Sequence, residues 1–468
     1  HTLSSSRESL FLLPSIKGTR PRHHILYMAT SKRASILDND AQKRWHAHSR
    51  PMKVFLLSPW EKILQRYADG LPLVKWPSFF QAKLAMDRAA ADGHLPLVEW
   101  LHANRSEGCS GYAMDRAAEG GHLTVVEWLH YHRPEGCTTA AMNNAAGKGH
   151  IYVVEWLHHN RSEGCTGRAM DNGARGGHLA VVQWLHDNRS EGCSAQAMDG
   201  ASAGGHLNVV EWLHEHRPEG CTTKAMNSAA GGGHLSMLEW LDANRPEGCT
   251  KDAIDRAAEG GHLAVVEWLH ANRLEGCTYR AMNFAAGGHL MVLEWLHSNR
   301  SEGCSAWAME IAAAGGHVSC LEWLHANRHE GCTTQAMNRA AAGGHLAAIE
   351  WLHANRSEGC SPAAMNYAAE NGHLSVVKWL HKNRSEGCTE GAMNRAAAGG
   401  HLSVVEWLHA NRSEGCSGWA LDYAAENGHL AVVEWLHANR SEGCTPQAMS
   451  RAAAGGHLAV IEWLEGRV

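Results

Sequence analysis

A unit of 28 residues recurs from about Met86 to the end of the chain, and it limits the possible folds more than any other property. The histidines that follow a glycine at its centre (His94, His122, His150 and onward to His457) mark fourteen copies. They are spaced by 28, with one step of 27 between His262 and His289. A fixed period of this size means a stacked array in which each unit buries its apolar face against its neighbours. The 468 residues would otherwise suggest about three globular domains. The repeat also argues against catalysis, since a motif present fourteen times is scaffold whereas an active site is usually one place.

Each unit reads as helix–turn–helix. In residues 138–165, Thr138 is a suitable N-cap, and Ser or Thr stands at this position in every copy that follows a Glu-Gly-Cys. Ala141, Met142, Ala145 and Ala146 form a narrow apolar stripe. Gly149 suits a left-handed helix stop, and its equivalent is Gly in all copies. A second helix is predicted from about Ile151 to His159, with Ile151, Val153, Val154, Trp156 and Leu157 on a broad buried face. Gly164 then turns the chain, and Cys165 returns to the core. All-α architecture follows, and the one-residue deletion at Gly287–Gly288 is expected to shorten a first helix and alter curvature there.

Outside the regular copies, residues 1–51 are basic and rich in Ser, Arg and His, and disorder is expected there. Residues 52–85 resemble a worn first copy, as capping repeats often do: Tyr67–Trp76 echoes Ala90–Trp100 without its histidine. Residues 86–468 form the array of fourteen repeats. Residues 1–80 hold 13 Lys+Arg against 5 Asp+Glu, which leaves −14 on the remainder of a chain whose net charge is −6. So acidic an array is a poor general binder of nucleic acid, and no nucleic-acid partner is expected. Thirteen of the 14 cysteines recur once per repeat, too far apart along a helical stack to bridge. Reduced thiols in a cytoplasmic or nuclear protein are the expectation. On that reading the eight Asn-Arg-Ser triplets from Asn104 to Asn439 are helix-end motifs rather than glycan acceptors. No apolar run approaches a membrane span, so no membrane partner is expected.

The string Ala-Ala-x-x-Gly-His-Leu-x-Val-Val-x-x-Leu, seen at Ala368–Leu380 and Ala424–Leu436, resembles the core of the ankyrin repeat. The resemblance covers residues 86–468 almost without interruption, most closely in the compact Trp-Leu-His arrays of protists. It implies an ankyrin-like solenoid of stacked helix-turn-helix repeats, with first helices lining the concave surface, a protein-binding role and no catalytic activity. Two departures stand out. The family period is 33, and Cys-Thr/Ser-x-x-Ala-Met-Asp/Asn replaces the usual Thr-Pro-Leu-His opening. The missing residues fall where the β-hairpin finger would project, so fingers are expected to be reduced or absent. The family's matching Gly-His histidine opens the second helix and hydrogen-bonds locally.

Reactive-looking side chains abound, with 35 His and 14 Cys. A structural zinc site needs four ligands about one point, usually from closely spaced pairs, whereas these are spread evenly over the loops. They read as packing residues; no metal, cofactor or catalytic residue is assigned. Arg133 and Glu135, with their equivalents, read as a solubilising surface ladder. Function should lie where the copies disagree. One column, the residue before Ala-Met, gives Tyr112, Arg168, Lys224, Asp252, Arg280, Trp307 and Trp419. A second, four residues on and on the same helix face, gives Arg339, Tyr367, Arg395, Tyr423 and Arg451 in the last repeats. Those five with Trp419 are the candidate partner-binding residues, and Phe284, Trp307 and Ile311 form a second aromatic patch beside the deletion. Tyr, Trp and Arg dominate binding hot spots; the competing reading stacks each Arg on a neighbouring Tyr. The favoured function is a monomeric, non-enzymatic scaffold binding a protein partner, with an acidic segment suited to those arginines. The alternative is a structural array or neutral repeat expansion with no dedicated partner, and an enzyme or metal store is third.

Overall fold

The computed structural model describes residues 78–466 except Glu107. The expectations for residues 1–51, and for most of 52–85, lie outside these. The described residues belong to one compact unit, Pro77–Val468, and form 28 helices with no strand among them. These are fourteen antiparallel pairs, from Ser78–Ala91 with Leu95–Asn104 to Gln447–Gly455 with Leu458–Glu465. The first helix starts at Ser78, so the start assigned to the array at Met86 falls inside it. No β-hairpin finger occurs among the described residues. None of their helices is long and apolar enough to cross a membrane.

Each pair is built as its sequence demands. Thr138 caps Thr139–Gly147 by accepting from the Ala140 N–H. Gly149 then adopts φ 79°, and the His150 N–H donates to the Ala145 carbonyl at 3.0 Å. This five-residue-back bond closes the first helix in the manner of a Schellman turn. Ile151–Asn160 follows at once. Val153, Val154 and Leu157 are at most 2% exposed, as are Ala141, Met142, Ala145 and Ala146 on the first helix. Full burial of each valine or leucine contributes about 1.5–3 kcal/mol, and no isolated pair could achieve it.

Consecutive first helices, lined with alanine, pack directly on one another. Second helices are held apart by Trp and Leu and touch far less. The spacing difference bends the stack toward the first-helix side, which is therefore its concave face. At the deletion, Tyr279–Ala285 has 7 residues where the other regular first helices have 8 or 9. Gly288 takes φ 123°, and the His289 N–H reaches the Ala285 carbonyl four residues back at 2.8 Å. Tyr279–Ala285 and Trp307–Ala314 are the most loosely packed consecutive first helices.

Candidate functional site

Three side-chain systems tie each repeat to the next, and together they account for most of the reactive-looking residues. The first is a polar clasp. Asp115, 2% exposed, accepts from the N–H and hydroxyl of Thr138, both at 2.7 Å. Where the acid is replaced by amide, the hydroxyl's role reverses: Asn143 accepts from the Thr166 N–H and donates to its Oγ1, both at 3.0 Å. The clasp recurs from Asp87–Ser110 to Asp422–Thr445. One rung departs: Glu310 accepts from the Thr333 hydroxyl at 2.6 Å. Nothing in the reading of the sequence assigned these residues a role; the signal was an Asp or Asn after almost every Met.

The second system is the Gly-His column. Its histidines make no capping bond to their own helix. They reach the preceding repeat instead: His262 Nε2 donates to the Gly231 carbonyl and His373 Nε2 to the Ala342 carbonyl, each at 3.1 Å. The local bond implied by the family is thus an inter-repeat one. A methyl group on Gly149 would stand 2.5 Å from His178 Nδ1, so the glycine serves ring packing as well as its turn. Burial, with His206 and His150 nearby, pushes the His178 pKa down, opposed by the bond to Gly147.

The third system joins Trp-Leu-His to the Arg–Glu loop. The His130 ring meets Trp156 of the next repeat edge-on, 5.2 Å between centroids. Arg161 Nη1 donates to His130 Nδ1 at 3.2 Å while its other nitrogens grip Glu163. A methyl on Gly136 of the preceding loop would lie 2.5 Å from Arg161 Nη2. The surface ladder expected from sequence is therefore a half-buried clamp across the joint. Where Asp242 replaces the histidine, Arg273 forms an ion pair with it at 2.8 Å. The loop thiols lie beneath these arginines. Burial, with Glu135 beside it, pushes Cys109 up to about 11, and burial with Glu302 beside it pushes Cys277 up to about 12. All 14 cysteines are free, but such thiols carry little thiolate at neutral pH. Among the described residues no three His, Cys, Asp or Glu side chains are grouped to hold a metal ion.

The variable first-helix residues occupy the face these systems leave open. Trp419 is 59% exposed, Trp307 40% and Tyr367 36%. Trp419 meets Tyr423 edge-on at 6.3 Å. Across the deletion, Phe284 and Trp307 lie 6.1 Å apart, and Ile311 Cγ2 approaches the place of a Gly287 side chain. Arg280 lies over the Phe284 ring, 5.3 Å from its centroid. The Arg/Tyr series resolves into separate clasps rather than a continuous ladder. Arg395 lies 5.4 Å from the Tyr367 ring centre and 2.7 Å from Glu370. Arg451 repeats this with Tyr423 at 5.1 Å and Glu426 at 2.7 Å. Arg339 lies 3.9 Å from Glu310. Each arginine proposed as a docking cation thus has an acid of the preceding repeat beside it.

Comparison with known proteins follows the architecture. A family model described as ankyrin repeats (many copies) matches residues 86–130, 137–186 and 195–241. A second, ankyrin repeats (3 copies), matches residues 281–389 and 365–448. No curated protein matches the chain. Among solved structures it is similar to the pentatricopeptide repeat protein PPR10 in complex with an 18-nt psaJ RNA element, at 11% identity and TM-score 0.35 over 91% of this chain and 75% of that one. It is also similar to PPR10 from maize, at 13% identity and TM-score 0.24 over 92% and 78% of the two chains. With ankyrin models matching most of the array, the chain belongs to the ankyrin-repeat family.

Proposed function

We propose that the array is a non-enzymatic, monomeric scaffold that binds a partner protein along its concave first-helix face. Ankyrin repeats generally mediate protein–protein interaction. The observation that carries the reading is the exposure of Trp307, Tyr367 and Trp419 on one face. Such rings add apolar area to water unless a partner covers it, and they supply rigid contact area at low entropic cost. Phe284 lies beside Trp307, and Tyr423 beside Trp419. Fourteen free thiols favour a reducing compartment, the cytoplasm or nucleus.

A tagged chain and its Trp307→Ala/Trp419→Ala variant, cross-linked in cells and analysed by mass spectrometry, test the proposal. Both residues are exposed, so the variant should keep its helical signal and lose most of the partners recovered specifically by the parent. Equal recovery from both would refute the site. The second reading, a structural array without a dedicated partner, draws on the clasps of Arg395 and Arg451, which serve the array itself. It predicts no specific partner for either form.

A further inference from the structure

The first-helix arginines of the last repeats are neutralised by acids, but four cations of repeats three to six are not. Lys148, Arg168, Arg175 and Lys224 are all exposed on or beside first helices, and none of the described acids forms an ion pair with them. The carboxylates on the first helices of this stretch, Asp171 and Asp199, are engaged by Ser194 and Thr222 of the following repeats. The second helices opposite, Ile151–Asn160 to Leu235–Asn244, carry six carboxylates and no lysine or arginine. Charge is therefore segregated across the stack here, positive on the concave side and negative on the other.

Between the cations the face is shallow and polar. Arg175 donates to Asn172 Oδ1 at 3.0 Å. Its stem crosses Gly200, where an added methyl would stand 3.0 Å from Arg175 Cβ. The guanidinium is thus aimed along the groove by an amide and a missing side chain rather than by an acid. Asn144, Gln196 and Ser228 continue the polar surface.

We infer that this stretch of repeats three to six binds an extended acidic polypeptide segment; the inference rests on the protein-docking reading and moves its acid-recognising part away from Arg339–Arg451. Helix layers about 10 Å apart place Lys148 and Lys224 about 30 Å from each other. An extended segment of about nine residues spans that distance. Nucleic acid fits less well: single strands are held by aromatic platforms, and the first helices of this stretch, from Thr139–Gly147 to Thr223–Gly231, carry no Phe, Tyr or Trp.

The test is fluorescence anisotropy on the full chain with a labelled (Glu-Ser)5 peptide at low salt, against (Lys-Ser)5 and a ten-nucleotide oligouridylate. The acidic peptide should bind, the basic one should not, and binding should weaken as salt screens the contacts. Arg168→Gln/Arg175→Gln/Lys224→Gln should lose affinity about thirtyfold, roughly threefold per exposed contact removed. Arg395→Gln/Arg451→Gln should change it less than about twofold. Circular dichroism checks that each variant stays folded. No binding of the acidic peptide, an unaffected triple variant, an equal loss in the double variant, or tighter binding of the oligouridylate would each overturn the inference. A failure confined to these probes leaves the cross-linking result at Trp307 and Trp419 to judge the docking reading separately.

Discussion

Replacing one clasp residue two ways separates what its charge does from what its hydrogen bonds do. Asp255 is 2% exposed; it accepts from the Thr278 N–H at 2.8 Å and from the Thr278 hydroxyl at 2.6 Å. Asp255→Asn has a template one repeat earlier, where Asn227 accepts from the Thr250 N–H at 2.9 Å and donates to its Oγ1 at 2.8 Å. Both bonds survive and the buried charge is gone. Burial raises the Asp255 pKa, with the Thr278 bonds acting against it, so the ionised form costs stability in the folded state. Asp255→Asn should therefore be neutral or up to about 1 kcal/mol stabilising at pH 7. The sign can be checked through pH. A raised folded pKa means the native acid gains stability as pH falls through that value, so the advantage of Asn should shrink toward pH 4. Asp255→Ala instead strands the Thr278 N–H and removes two bonds to a charged acceptor, a loss of about 2–4 kcal/mol. In a stack held by nearest-neighbour joints, that loss should split one unfolding transition into two and expose the joint at 253–289 to hydrogen exchange. Urea unfolding and peptide-resolved exchange of both variants give the answer. If Asn destabilises as much as Ala, the carboxylate's charge is essential; if Ala is neutral, the clasp does not hold the joint. Either result refutes the account.

Other joints yield sharper local tests. Gly149→Ala forces a φ of 79° on an L side chain and a methyl onto the His178 ring, so a loss of about 2–4 kcal/mol in urea unfolding is expected. Hydrogen bonds from Arg384 hold the Glu386 carboxyl down at about 2; burial works the other way at Glu302 and Glu330, yet Arg300 and Arg328 hold these at about 2 as well. A depressed carboxylate pKa gives stability that is present above about pH 4.5 and lost as pH falls toward 2. The urea midpoint should therefore fall over that window, by less in Arg384→Gln, and a midpoint independent of pH there would contradict the clamp. Ser202 stands where other copies have Ala, is 0% exposed, and its hydroxyl has no partner. Ser202→Ala should stabilise by about 1 kcal/mol, and a destabilised variant would show that the hydroxyl is satisfied after all.

What could be read from the sequence was whatever each repeat needs for itself. Thr138, Gly149 and the Val153–Leu157 face answer to backbone geometry and to a period of 3.6, and both are visible inside one copy. The joints are not visible that way. Asp115 meets Thr138 23 residues on, His130 meets Trp156 26 residues on, and Arg161 reaches back 31 to His130. Each offset is the period of 28 less five, less two or plus three, so every one of these contacts crosses to a neighbouring unit. A repeated string does not distinguish a partner in its own copy from the same residue in the next, and the Arg–Glu loop accordingly read as a surface ladder. The pairings on the variable face were hidden for a different reason. Arg395 and Arg451 stood out because one column alternates, but their acids, Glu370 and Glu426, lie in another column, three residues past the tyrosines. Lys148 and Arg175 had the opposite fate: each is the one cation of its column, while Arg168 and Lys224 are separated by Gln196 in the column before Ala-Met, and none of the four has an ion-pairing acid among the described residues of the folded stack. In such an array the positions that vary most regularly are the ones already satisfied by their neighbours.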